Sequence, residues 1–277
     1  MMHEQLISLL VSLFAGFIGS IIGVGGGIII VPFLTLFLGV DIHHAVSASL
    51  ISIIATSSAA SPGYIRRNLV NLRVANLLEA ASVTGAVMGA VIGLLAGSLL
   101  VLSLYAGLLL FVSVSMAFKR TGGNEIGRDD GAFSKALGLD SSYRDEALGA
   151  EVAYSVHGIG YAIPASFVSG ILSTILGIGG GIFNVPLMTR VMRMPIKAGS
   201  ATSAFMIGIT AAAGSSVFLA RGMIDPRIAA PVAIGVLAGA LAGNRIMNRI
   251  SGNAIRYIFS GVAFILFIRV LARLLGD

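Results

Sequence analysis

The sequence predicts an all-α, polytopic membrane protein built from two homologous, inverted repeats with glycine-broken helices at the centre. Three observations predict this fold class: the chain is strongly apolar, its apolar segments have membrane-spanning length, and one glycine-rich pattern occurs twice. Hydrophobic residues make up 56% of the 277 residues and charged residues 11%, with a mean hydropathy of +0.97. A soluble domain of this size needs more polar surface. We therefore expect a multi-pass protein of the cell membrane, surrounded by the lipid bilayer.

The apolar segments define the predicted helices. A helix needs about 17–25 apolar residues to cross a bilayer, and the segments near that length are residues 6–22, 44–65, 74–96, 99–118, 158–176, 199–220, 228–246 and 254–270. Two shorter apolar pieces, residues 28–38 and 182–192, directly follow the glycine-rich pattern. A piece of about 10–14 residues is too short to span alone. Each short piece is therefore predicted to be half-helical or re-entrant.

The glycine-rich pattern reads Gly-Val-Gly-Gly-Gly at 23–27 and Gly-Ile-Gly-Gly-Gly at 177–181, and a short apolar run into proline follows both copies. The two copies are 154 positions apart, and the same offset pairs identical residues well beyond them, as in Thr35 with Thr189, Ser49 with Ser203, Arg67 with Arg221, and Gly89 with Gly243. The repeat predicts three parts: a first membrane repeat over residues 1–118, a polar linker over 119–156, and a second membrane repeat over 157–277.

The basic residues indicate how the repeats are oriented. Cytoplasmic loops near membrane ends collect Lys and Arg. A second-half loop carries Arg190, Arg193 and Lys197, whereas the matching first-half loop, around Asp41, has no Lys or Arg. Opposite preferences at matching loops favour inverted repeats. The linker is predicted to be a solvated cytoplasmic segment that can hold a small β-hairpin, with a regulatory or docking role as the alternative. Because the bases lie between apolar segments, they fit topology determinants, and no nucleic-acid partner is expected.

The glycine clusters are the first candidate site. Neither copy has the G-x-G-x-x-G spacing of a dinucleotide site or the Gly-Lys-Ser/Thr of a phosphate-binding loop. Close helix packing is the structural alternative, but three consecutive glycines do not lie on one helical face. Local unwinding explains them better, and it is tolerated at membrane depth where the backbone lines protein or a water-filled cavity. A helix that starts after such a break presents free N–H groups to an anion. The predicted substrate-binding residues are therefore Gly25, Gly26, Gly27, Gly179, Gly180 and Gly181.

These segments resemble a known family. The run Gly16-Phe-Ile-Gly-Ser-Ile-Ile-Gly-Val-Gly-Gly-Gly27 with Val31-Pro32, and the run Ser169-Gly-Ile-Leu-Ser-Thr-Ile-Leu-Gly-Ile-Gly-Gly-Gly181 with Val185-Pro186, are similar to the TauE/SafE-type sulfite exporter family. The similarity extends over both membrane halves. The resemblance implies membrane transport, as export, of small sulfur-containing anions such as sulfite, sulfonates or sulfoacetate.

Polar residues inside the apolar segments are further candidates. Asn184 lies three residues after the second glycine cluster, where the first half has Ile30. Its side-chain amide can donate to an oxyanion, and helix–helix hydrogen bonding is the alternative. Hydroxyl groups bind oxyanions without a charge to desolvate, which adds Ser49, Thr202 and Ser203 to the predicted substrate-binding residues. Capping a helix or bonding back to its own backbone is the alternative for each hydroxyl.

Glu79 is the carboxylate that lies well inside a predicted span, and its counterpart in the second half is Ala233. An ionisable residue at this depth is costly and functional by default. We therefore take Glu79 as the proton-coupling candidate. Pairing with an arginine, or a position at the membrane interface, is the alternative.

The function predicted from these features is secondary transport of a small anion, with one repeat rocking against the other. A passive anion channel, or a transporter of a different small organic anion, remains an alternative with the same binding chemistry. The chain has no cysteine, and its few polar residues do not form a nucleophile, base or metal set, so neither an enzyme, a cofactor nor a metal site is expected. A homo-oligomer stays open.

Overall fold

The structure is a computed structural model that describes residues 2–22, 25–117, 137–145, 150–246 and 252–276. The elements in chain order are α1 (Met2–Ile22), α2 (Gly27–Phe37), α3 (Ile42–Arg66), α4 (Leu72–Leu95), α5 (Ser98–Ala117), β1 (Ser141–Asp145), β2 (Ala150–Tyr154), α6 (Ile159–Leu176), α7 (Gly181–Pro186) with a following π-helical turn (Leu187–Val191), α8 (Ile196–Ala220), α9 (Pro226–Ile246) and α10 (Gly252–Gly276). Gly23, Val24 and residues 118–136 and 146–149 of the predicted linker lie outside the described residues.

The all-α polytopic fold is confirmed. Within the described residues, five helical stretches are long and apolar enough to cross a membrane: Ile42–Arg66, Leu72–Leu95, Ile159–Leu176, Ile196–Ala220 and Pro226–Gly243. Large apolar side chains cover the outside of the bundle, as in Leu99, which is 68% exposed, and Leu219, which is 65% exposed. Exposed apolar surface on this scale is what lipid covers in a membrane protein.

Glycines set the closest helix contacts. α4 packs against α6 and α1 packs against α9, and in both pairs glycines spaced four residues apart face the partner's backbone. A methyl group on Gly85 would overlap the Phe167 carbonyl oxygen, and one on Gly239 would overlap the Leu13 carbonyl oxygen. Small residues allow backbones to approach in this way, and this approach replaces the hydrophobic driving force that lipid removes.

The same contacts give the directions of the helices. Positions along α4 and α6 advance together, because Gly85 lies against Phe167 and Gly93 against Ile175. α4 and α8 also run in the same direction, since Asn71 at the start of α4 bonds Thr202 and Ser82 further along bonds Thr210. The helices α3 and α8 cross in opposite directions: Ser57 bonds the Ala204 carbonyl, whereas the earlier Ile53 lies beside the later Ile207.

The described part of the linker contains a β-hairpin. β1 and β2 pair antiparallel, with Ser141 opposite Tyr154. Leu139 and Tyr143 are buried in an apolar cluster with residues from one end of α4, α6, α7 and α8, including Met188 and Met206. The linker is therefore packed onto the helices at one end of the bundle.

The two ends of the bundle differ in charge. The end that holds the hairpin also holds the α3–α4 loop and the segment between the π-helical turn and α8. Its basic residues whose side chains are described are Arg66, Arg67, Arg73, Arg144, Arg190, Arg193 and Lys197, and the hairpin adds the acids Asp140 and Glu151. At the other end, His44 contacts the Met223 carbonyl oxygen at 2.7 Å. The charged residues at that end whose side chains are described are Asp41, Arg221, Asp225 and Arg227, with Arg269 and Arg273 against the end of α2.

The glycine contact between α1 and α9 predicts a specific loss of stability. Gly239→Ala places a methyl group against the α1 backbone, and overpacking of this kind costs about 1–3 kcal/mol. We expect a lower midpoint of thermal unfolding for the purified protein in detergent. Gly107→Ala is the matched control, because a methyl group there meets no atom within 4 Å. Equal midpoints for the two variants would contradict the described packing.

Candidate functional site

The second glycine cluster forms the tip of a helical hairpin. α6 enters the bundle, the chain reverses, and α7 with its π-helical turn returns to the same end, where the His157 N–H donates to the Met192 carbonyl oxygen at 3.1 Å. The reversal uses left-handed backbone at Gly179 (φ 76°) and Gly180 (φ 73°), a conformation that glycine adopts without steric cost. We call residues 177–182 the second tip.

The first glycine cluster has the same local form. Gly25 (φ 82°) and Gly26 (φ 78°) are left-handed, and Gly26 precedes α2 as its N-cap. A methyl group on Gly26 would lie 2.9 Å from the Ala15 carbonyl oxygen of α1, so the chain has folded back along α1. We call residues 25–28 the first tip.

The two tips meet in the interior of the bundle. A methyl group on Gly27 would overlap the Gly177 carbonyl oxygen. Ser49 of α3 donates to that oxygen at 2.6 Å. Ile53 lies one turn after Ser49 on α3. A methyl group on Gly25 would be 3.3 Å from the Ile53 side chain, and a methyl group on Gly179 would be 2.8 Å from it. Ile53 therefore places an apolar side chain between Gly25 and Gly179.

Polar side chains surround the second tip. A methyl group on Gly180 would be 3.3 Å from Ser169 Oγ and 3.4 Å from Ser173 Oγ. Ser169 donates to Asn184 Oδ1 at 2.9 Å, and all three side chains are buried. Within the described part of the chain, the N–H groups of Gly179, Gly180, Gly181 and Ile182 have no hydrogen-bond acceptor. The second tip is thus a cluster of buried hydrogen-bond donors without a positive charge.

Glu79 forms a separate polar cluster on α4. Thr210 Oγ1 donates to Glu79 Oε1 at 2.8 Å, and Ser82 Oγ lies 2.9 Å from Thr210 Oγ1. Glu79 is 7% exposed, and its Oε2 atom has no hydrogen-bond partner among the described residues. The carboxyl group is therefore inside the bundle, with a threonine rather than an arginine as its described partner. One oxygen of that carboxyl is available to a proton.

The remaining predicted residues are divided between two places. Ser49 lies at the contact of the tips, whereas Thr202 Oγ1 accepts a hydrogen bond from the Asn71 N–H at 3.0 Å near the hairpin end. Ser203 is fully buried, and its Oγ has no partner among the described residues. Thr202 therefore takes part in a contact with the start of α4, which is neither of the alternatives stated for it above.

Sequence reasoning missed Asn71, which connects three parts of the molecule. Its side-chain oxygen caps α4 by accepting from the Val74 N–H at 3.1 Å, and its amide donates to the Leu139 carbonyl oxygen at 2.8 Å. The backbone N–H reaches Thr202 on α8. An asparagine before an apolar segment signals a helix cap, but nothing in the sequence indicates that its amide binds the linker.

Ser169 and Ser173 were also missed as lining residues. Their positions in the first half are occupied by Ala15 and Gly19. This difference between the repeats was the sequence signal that could have marked the two serines as candidate lining residues.

A bundle of apolar helices with two embedded, glycine-tipped hairpins that meet inside it is typical of secondary membrane transporters. The chain belongs to the Sulfite exporter TauE/SafE family, whose model matches residues 8–270. The family is one of membrane transporters rather than enzymes.

The chain is similar to two membrane proteins over most of its length. It is 30% identical over 258 residues to "Probable membrane transporter protein YunE" of Bacillus subtilis, a match that covers 90% of each chain. It is 25% identical over 270 residues to "Probable membrane transporter protein MJ0441" of Methanocaldococcus jannaschii, covering 92% of this chain and 90% of the relative. No solved structure gives a significant match.

The contacts of Asn71 predict how the linker is attached. Asn71→Ala removes the hydrogen bond to Leu139 and the cap of α4, so we expect faster amide hydrogen exchange in residues 139–156 while exchange in α5 stays unchanged. Hydrogen-exchange mass spectrometry measures both regions in one sample. Asn68→Gly, in the same loop, is the control, because glycine keeps the left-handed backbone of Asn68 (φ 53°) and the Asn68 side chain has no hydrogen bond among those described. Unchanged exchange in the hairpin of the Asn71 variant would contradict this attachment.

Proposed function

We propose that this transporter exports small sulfur-containing anions such as sulfite, sulfonates or sulfoacetate, binds them at the glycine tips, and couples their movement to protons through Glu79. The observation that carries the proposal is the second tip. Its four N–H groups have no acceptor among the described residues and are buried inside the bundle, and an unsatisfied backbone group at membrane depth costs several kcal/mol. An anion that accepts hydrogen bonds from them removes that cost.

The donor chemistry supports an oxyanion as the substrate. Backbone N–H groups at the start of a helical segment carry a partial positive charge. The neighbouring Asn184 has a neutral amide able to donate, and the Ser169 hydroxyl holds that amide by donating to its oxygen. Such a set binds a small anion with oxygens on several sides without a buried positive charge, so the anion can leave again. The family is named after sulfite, which is a small oxyanion of the kind that this donor set would bind.

The helix directions support inverted repeats. With the offset of 154, α3 corresponds to α8 and Ile53 to Ile207, and these helices cross in opposite directions at the tips. The contact of α1 with α9 corresponds to that of α6 with α4. A two-fold axis in the membrane plane relates halves in this way, whereas an axis along the membrane normal leaves corresponding helices parallel.

The charge difference between the two ends supports the orientation. Among the residues whose side chains are described, the hairpin end carries seven basic residues at the helix ends, loops and hairpin, against four at the other end (Arg221, Arg227, Arg269 and Arg273). The positive-inside rule places the end with more Lys and Arg in the cytoplasm. The linker is then cytoplasmic, and α6 with α7 enters the membrane from the cytoplasmic side. The other hairpin, α1 with α2, enters from outside.

Glu79 is proposed as the proton carrier because its carboxyl is inside the bundle and has one oxygen without a partner among the described residues. An anion and a carboxylate repel each other at low dielectric. Binding of the anion is therefore favoured when Glu79 is protonated, which connects the two movements.

Flux measurements test the proposed function. Purified protein in proteoliposomes is expected to move radiolabelled sulfite or methanesulfonate with saturable kinetics, and a pH gradient is expected to accelerate that flux at least tenfold. Glu79→Gln removes the proton-binding group, so the acceleration is expected to disappear. Ser113→Ala is the control, because Ser113 is equally buried but pairs with Ser260 between α5 and α10.

Three other outcomes of the flux measurements would each contradict a different part of the proposed function. Flux that rises linearly with concentration and ignores the gradient would favour a passive anion channel. Saturable flux that keeps its acceleration in Glu79→Gln would remove Glu79 from coupling. No flux of either anion from folded protein would contradict the substrate class.

A further inference from the structure

The two glycine tips have the same backbone but different surroundings. With the offset of 154, the residues beside the second tip and their first-half counterparts are Ser169 and Ala15, Ser173 and Gly19, and Asn184 and Ile30. Ser169, Ser173 and Asn184 are thus matched by an apolar residue or a glycine near the first tip. Two other hydroxyls at the second tip keep a hydroxyl counterpart: Thr174 is matched by Ser20, and Ser49, which bonds Gly177, is matched by Ser203. All six residues of the three differing pairs are buried, so this difference between the two tips lies inside the bundle.

The second tip retains unused donors. Asn184 is 1% exposed, and its side chain accepts from Ser169, which leaves the two N–H bonds of its amide without an acceptor among the described residues. Ser169 bonds the amide oxygen, and its own Oγ lies 3.3 Å from where a methyl group on Gly180 would be. Ser169 therefore holds the amide of Asn184 near Gly180. A buried amide with free donors needs a partner, since an unmade hydrogen bond in an apolar interior costs about 1–3 kcal/mol.

The first tip has no amide side chain beside it among the described residues. Thr56 Oγ1 donates to the Gly25 carbonyl oxygen at 3.5 Å, and the N–H groups of residues 26–28, like those of the second tip, have no described acceptor. Gly26 lies against the backbone of α1 at Ala15, and Gly25 faces the side chains of Ile53 and Ile207. The carbonyl oxygen of Gly27 accepts from Tyr105 of α5 at 3.0 Å. Tyr105 is 1% exposed, so α5 covers the start of α2 from the side.

We propose that the transported anion is bound at the second tip alone, with Asn184 and Ser169 as its specificity-determining residues, and that the first tip is a structural element. The assignment rests on the function proposed above and narrows it from two tips to one. The ligand chemistry is that of a small oxyanion: one oxygen accepts from the tip N–H groups, and another accepts from the Asn184 amide. The expected stoichiometry is one anion per chain.

The repeat supplies the variants that test this assignment. Asn184→Ile and Ser169→Ala each introduce the residue of the first half at the second tip. Asn184→Ile removes the amide donor, and Ser169→Ala removes the hydroxyl that holds this amide in place. For each variant we expect the KM for sulfite in proteoliposomes to rise at least tenfold. Ile30→Val is the matched control at the first tip, with a KM expected within twofold of the wild type. In the double variant Asn184→Ile/Ile30→Asn, which moves the amide to the first tip, the KM is expected to stay high.

Protein stability is measured separately from binding. The unfolding midpoint of each variant in detergent is recorded without and with sulfite. Ser169→Ala is expected to lower the ligand-free midpoint slightly, because Asn184 Oδ1 loses its donor, and to lose the increase that sulfite gives the wild type. A variant that only disturbs packing would instead keep the sulfite-induced increase.

Two results would overturn the assignment while the transport function stands. One is an equal rise in KM for Ile30→Val, and the other is recovery of the KM in the double variant, since either shows that the first tip binds the anion. An unchanged KM in both Asn184→Ile and Ser169→Ala would also overturn it. A wild type without saturable sulfite flux and without a sulfite-induced increase in midpoint fails the proposed function itself, which is a different outcome.

Discussion

The structure depends on one constraint: where a helix is interrupted inside a membrane, the exposed backbone groups need hydrogen-bond partners. The chain interrupts its helices at two glycine tips and brings the tips together. Carbonyl oxygens at the contact receive side-chain donors, from Ser49 to Gly177 and from Tyr105 to Gly27. The N–H groups of the second tip receive none among the described residues. These buried N–H groups are the basis of the anion site proposed above.

Much of the fold could be predicted from the sequence because membrane-spanning helices are local features. Hydropathy located the spans, and the short apolar pieces after the glycines became α2 and α7 with its π-helical turn. Re-entrant hairpins and unwound crossing helices have the same sequence signal. For the second tip the hydrogen bond from His157 to Met192 distinguishes them, because it joins the beginning and the end of the segment at one end of the bundle, as in a re-entrant hairpin. The β-hairpin of the linker rests on tertiary contacts through Leu139 and Tyr143, which no periodicity in the linker reveals.

The site was predictable at the backbone and less so at the side chains. Glycine runs identify a backbone break wherever they occur, which located both tips. Hydroxyl groups carry no such signal, because the same residue type caps helices, bonds its own backbone or faces a ligand. Thr202 took part in a helix contact with Asn71, whereas Ser169 reached Asn184. Comparing the repeats position by position does not separate them, since Thr202 is matched by Ala48 just as Ser169 is matched by Ala15.

The most direct test of this account is the position of a bound oxyanion. Selenite has the shape of sulfite, and its selenium atom scatters X-rays anomalously, so crystals of the protein grown with selenite locate the anion without ambiguity. The account predicts one anomalous peak inside the bundle, within hydrogen-bonding distance of the Gly180 N–H and the Asn184 amide. A peak beside Gly26, or equal peaks at both tips, would contradict binding at the second tip alone.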